Sequence, residues 1–90
     1  MLPQKLKIAG YNYVVETDPI LIRDRSRMGE SCANALTITL DPTVPKQVQE
    51  TALLHEILEQ VNYHYELKLE HAQISVLETA LYQVWQDNFK

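Results

Sequence analysis

The chain has 90 residues, 46% hydrophobic and 22% charged, with a formal net charge of −4. That length holds one domain and not two, the apolar content is that of a folding chain, and no apolar run approaches the roughly 20 residues of a membrane span. A single cysteine, Cys32, excludes an internal disulfide framework and a cysteine-based zinc finger; Met1-Leu2-Pro3-Gln4-Lys5 begins no apolar leader, so the cytoplasm is the expected compartment.

The first half reads as strands. Leu6 and Ile8 alternate with Lys5 and Lys7, and Tyr11, Tyr13 and Val15 alternate after a turn around Ala9-Gly10. Asp18-Pro19 marks a turn, and Ile20-Leu21-Ile22 predicts another short strand. Residues 24–34 are polar and predict a loop. Leu36, Ile38 and Leu40 alternate with threonines and give the clearest strand, half buried and rich in β-branched residues. Asp41-Pro42 ends it. Thr43 is the expected cap of a helix from Pro45 to about Tyr65. Leu53, Leu54, Ile57, Leu58, Val61 and Tyr65 share one face of that helix, and His55, Glu59, Asn62 and Glu66 a separate polar stripe. Residues 66–70 connect to a second helix, from about His71 to Asn88. Its apolar stripe is Ile74, Leu77, Leu81, Val84 and Trp85, beside a second stripe of His71, Ser75, Glu78 and Tyr82. Strands followed by helices make an α+β domain over 1–90, with a small antiparallel-type sheet of about three strands and two long helices.

Charge narrows the partners. Residues 1–45 carry five basic and five acidic side chains, whereas residues 46–90 carry three lysines and seven acids. An acidic second half argues against a nucleic-acid surface there, since phosphate binding needs an excess of Lys and Arg. Arg23-x-Arg25-x-Arg27 would align three guanidiniums on one side of an extended segment, which reads as a solvated edge before it reads as a phosphate patch.

Chemistry concentrates in Leu53-Leu54-His55-Glu56-Ile57-Leu58-Glu59. His55 and Glu59, four residues apart, stack on one side of a helix and can reach one ion. Glu56 points about 100° away, where a carboxylate can take a proton from a water acidified by that ion. In an antiparallel hairpin turning at 66–70, Glu59 comes level with about position 77, next to Glu78, while His71 is expected level with Tyr65 and two turns from the site.

Leu53-Leu54-His55-Glu56-Ile57-Leu58, with Leu81-Tyr82-Gln83-Val84 downstream, resembles the minigluzincins, short zincin-like metallopeptidases of phages and prophages. The resemblance covers nearly the whole chain. It implies a metal-dependent peptidase with Glu56 as the catalytic base, in the cytoplasm of a bacterium or a phage-infected host. The family motif is H-E-x-x-H, with a third ligand, a Glu, on the next helix. Here the second histidine position holds Glu59, so the motif reads H-E-x-x-E, which makes the ligand set harder and more anionic. By that resemblance the metal ligands are His55, Glu59 and Glu78, with His71 the runner-up, or Ser75 after a register shift. The ion is zinc first, with manganese or iron as alternatives. The last strand, Leu36–Leu40, would serve as the edge that aligns an extended peptide or protein substrate. Tyr82 and His64 are the candidates for oxyanion stabilisation. The competing reading is a non-catalytic zincin-like interaction or scaffold protein, whose partner would be another protein or a second copy forming a homodimer. Neither reading requires a membrane or a nucleic acid.

Overall fold

The computed structural model describes residues 2–25 and 28–89, without the side chains at 24 and 25. Strands β1 (Lys5–Ile8) and β2 (Tyr11–Thr17) form an antiparallel hairpin in which Ile8 pairs Tyr11. The two residues between them, Ala9 at φ 52° and Gly10 at φ 84°, are both left-handed, as the tightest right-twisting hairpin turn requires. The chain then runs through α1 (Leu21–Arg25), β3 (Gly29–Cys32), β4 (Thr37–Leu40), α2 (Lys46–Tyr65) and α3 (His71–Phe89).

The sheet has four strands in the order β1-β2-β4-β3. β4 pairs parallel to β2 and antiparallel to β3, so the sheet is mixed rather than antiparallel throughout. The strand expected over Leu36–Leu40 is therefore interior, and the edge beside the helices is β3, in a segment that reads as loop. β3 is polar because an edge strand needs no apolar face of its own. Its Gly29 carries the close approach: a Cβ there would sit 3.1 Å from Leu40 Cδ2, 3.4 Å from Ala52 and 3.5 Å from Glu56 Cγ.

Three local expectations are corrected. Ile20-Leu21-Ile22 is not a strand, because Asp41 draws the segment into α1: its Oδ2 accepts from the Ile22 amide at 2.9 Å. Arg23 and Arg25 consequently lie on a helical turn and not an extended edge; Arg27 and the Arg25 side chain fall outside the described residues. Thr43 does not cap α2, since both its hydroxyl and its amide donate to Asp41 Oδ1. The N-cap is Pro45, and the Gln49 side-chain amide donates to the Val44 carbonyl at 2.9 Å.

The core lies between the sheet and α2, around Ile8, Tyr13, Ile38, Leu40 and Leu53. The most buried line of α2 is Leu53, Glu56 and Gln60, so two polar residues face the sheet. Tyr65, expected on the apolar face, is exposed. At the far end Glu66 turns left-handed, its amide donating to Tyr63, and the Leu67 amide donates to the Asn62 carbonyl. The Asn62 side chain also brackets Leu69, accepting from its amide at 2.9 Å and donating to its carbonyl at 3.2 Å. These bonds fold α3 back along α2. Among the described residues no helix is long and apolar enough to cross a membrane.

Candidate metal centre

A cleft of about 900 Å³ opens between β3, α2 and the first half of α3, and His55, Glu56, Glu59, His71 and Glu78 all line it. His55 is its organising residue. Its Nδ1 lies 2.7 Å from Glu78 Oε1, and its Nε2 lies 3.3 Å from Glu59 Oε2. The α2–α3 reversal brings in His71 as well: its Nδ1 is 3.2 Å from the same Glu59 oxygen, and its ring centroid is 4.9 Å from that of His55. The expected placement of His71 two turns away is thus corrected. Tied down at Asn62, the turn starts α3 close beside Glu59 instead of two turns further along.

His55, Glu59 and His71 each offer one ligand atom, and these atoms all lie within 4.8 Å of one another, so the group could hold a metal ion. Two ligand atoms about 2.0–2.1 Å from one ion at a tetrahedral angle stand roughly 3.3 Å apart. The 3.2 and 3.3 Å separations to Glu59 Oε2 match that spacing. Glu78 stands behind His55 in this arrangement. A carboxylate on one ring nitrogen fixes the ring and leaves the other nitrogen for a ligand role. His71 is 73% exposed, so the cluster is closed toward the sheet and open toward solvent.

Glu56 enters the same cleft from the buried line of α2. Its Oε1 accepts from the Ser31 hydroxyl of β3 at 2.7 Å. Ser31 Oγ in turn accepts from Gln60 Nε2 at 2.8 Å, and Gln60 Oε1 accepts from the Tyr13 hydroxyl at 2.7 Å. Burial, then the neighbouring Tyr63, Cys32 and Tyr11, raise the Tyr13 pKa, which keeps its one proton in place for Gln60. The Tyr13 oxygen is then left to accept from His64 Nε2, 2.6 Å away. Every donor in this chain points toward Glu56. The periodicity of α2 gives no sign of it, because it depends on Ser31 and Tyr13 from distant strands. A glutamine four residues after the glutamate, on the same helical line, is the sequence signal that was there to be read.

The two oxyanion candidates are used elsewhere. Tyr82 donates to Glu50 Oε1 at 2.7 Å, and that bond, ahead of burial, raises its pKa. His64 stacks on Tyr11 with ring centroids 4.7 Å apart. Neither lines the cleft. Ser75 does line it. The chain matches no protein-family model, no curated protein and no solved structure.

Proposed function

We propose that the protein is a minimal zincin-like, metal-dependent peptidase, with its ion held by His55, Glu59 and His71. The single observation that carries this reading is the convergence of those three ligand atoms in the cleft that Glu56 also enters. Two imidazole nitrogens and one carboxylate oxygen make a donor set suited to zinc, with manganese or iron the alternatives. A divalent ion there would supply Lewis acidity toward a carbonyl and toward a water.

The chain's own residues do the rest. Glu78 orients His55 through Nδ1. Glu56 is the proton acceptor and later the donor, with one carboxylate oxygen held by Ser31. β3 is the sheet edge along the cleft, with Gly29, Glu30 and Ser31 among the lining residues. An extended peptide laid across the opening would pair with its main chain.

A second reading has an observation of its own. Among the described residues no buried side-chain nitrogen or oxygen lacks a hydrogen-bond partner, so the polar cluster is satisfied without an ion. That favours a non-catalytic scaffold in which the His55–Glu78 and Glu59–His71 pairs tie α2 to α3. Metal analysis of protein purified without a histidine tag, with peptide turnover measured on the same sample, decides between the two. Near-stoichiometric ion with turnover supports the peptidase. Ion-free protein that takes up no zinc, manganese or iron supports the scaffold.

A further inference from the structure

We propose that two copies of the chain pair through an apolar stripe on α3. α3 turns a polar line toward α2: His71 toward Glu59, Glu78 toward His55, and Tyr82 and Gln86 toward Glu50. Its apolar residues lie about a quarter-turn round the helix, and only Ile74 is buried. On the stripe, Leu77, Leu81, Val84 and Trp85 are 38%, 46%, 44% and 53% exposed. Such a stripe would normally face a core.

Spacing, charge and area all favour a second copy as the occupant. Leu77, Leu81 and Val84 are separated by four and three residues, the spacing of a helix–helix seam. α3 carries no Lys or Arg for an anionic membrane surface to attract. Its outer flank is Gln73, Ala80 and the exposed Asp87, seven residues apart, and Glu78 on the other side is turned into the cleft. Asp87 is the one carboxylate of that flank, and an antiparallel pairing about Leu81 sets it level with Ser75 of the other copy, so the two Asp87 side chains lie at opposite ends of the seam and do not hold the copies apart. At these exposures the four stripe side chains leave on the order of 400 Å² of apolar surface per copy, or about 800 Å² for a pair, the size of a weak interface that fills at high concentration. The large rings, Trp85 and Phe89, sit at one end, with centroids 5.2 Å apart, and Gln73 and Leu77 at the other. An antiparallel pairing about Leu81 sets large against small, placing Trp85 of one copy on Leu77 of the other. The cleft residues, on the α2 side of the helix, stay open.

Sedimentation velocity at high micromolar concentration tests this. The expected result is a dimer for the wild type, a monomer with unchanged far-ultraviolet circular dichroism for Leu81→Glu, and a dimer for Val76→Glu, which alters an exposed residue off the stripe. A second test does not depend on the folding of Leu81→Glu. In a Cys32→Ser background, Leu81→Cys is expected to form an intermolecular disulfide on mild oxidation and Val76→Cys is not. A monomeric wild type overturns the proposal, as does a dimer that survives Leu81→Glu or cross-links equally at both positions.

Discussion

Glu78 Oε1 lies 2.7 Å from His55 Nδ1, so the imidazole presents its other nitrogen to Glu59. In the proposed metal site a glutamate so placed would orient a ligand rather than act as one, and the two roles predict different zinc binding. Loss of an outer carboxylate typically costs about 10–100-fold in metal affinity. Glu78→Ala is therefore expected to weaken zinc binding by about that factor, and Glu78→Gln by less, because its amide oxygen still accepts from Nδ1. His55→Ala and His71→Ala are expected to remove measurable binding. Isothermal titration of the four variants checks this. Equal loss in Glu78→Ala and His55→Ala would make Glu78 a direct ligand and leave His71 outside the set.

Glu56 Oε1 accepts from the Ser31 hydroxyl, a bond that a glutamine in its place could still accept through the amide oxygen. Glu56→Gln is thus expected to keep the ion and the fold while lowering peptide turnover about 10²–10⁴-fold, the usual cost of a lost general base. Metal content and turnover measured on the same preparation provide the check. Turnover that survives the substitution would remove Glu56 from the mechanism.

The parts of the fold with strong periodicity were legible in the sequence: the Leu36–Leu40 alternation, the two helices and the reversal at 66–70. His55, Glu56 and Glu59 could be singled out because helical spacing puts them on neighbouring lines of α2, and Glu78 because hairpin counting brings it level with Glu59. What could not be read depended on contacts between distant segments. β3 has no apolar alternation, and it is a strand because β4 pairs with it and Gly29 lets it pass beneath Glu56. α1 forms because Asp41, far along the chain, accepts from the Ile22 amide. His71 reaches the site because Asn62 bonds both the amide and the carbonyl of Leu69, a turn that hairpin counting treats as featureless. Glu56 and Gln60 face the sheet against the apolar periodicity of α2 because Tyr13 and Ser31 supply their hydrogen bonds.

The β1–β2 turn carries an avoidable strain. Ala9 sits at φ 52°, a conformation that costs an alanine roughly 1 kcal/mol and an asparagine less. Ala9→Asn would give Asn-Gly, the preferred pair for this turn. The expected gain is about 0.5–1 kcal/mol, or a rise of a few degrees in Tm. Thermal unfolding followed by circular dichroism measures it, and an unchanged or lowered Tm would mean that the turn is not strained.

Asp41 joins β4, α1 and the approach to α2, and it links stability to pH. Its side chain is fully buried. The Ile22 amide, then the Thr43 hydroxyl, hold its pKa below the ordinary aspartate value against the opposing effect of burial, with the Thr43 amide and the Arg23 charge adding to the lowering. A carboxyl with a lowered folded-state pKa binds its proton less readily folded than unfolded. Its contribution is therefore complete above the unfolded value of about 3.9 and is lost as pH falls through the folded value. Asp41→Asn removes that titration and replaces an acceptor oxygen with an amide that cannot accept from Ile22 and Thr43 together. The variant is expected to be less stable than wild type at neutral pH, with the gap narrowing as pH falls below about 4. Urea midpoints for both proteins at neutral pH and through the acid range measure the two slopes. A gap that stays constant with pH would mean that Asp41 holds α1 by shape alone, without the charge on its carboxylate.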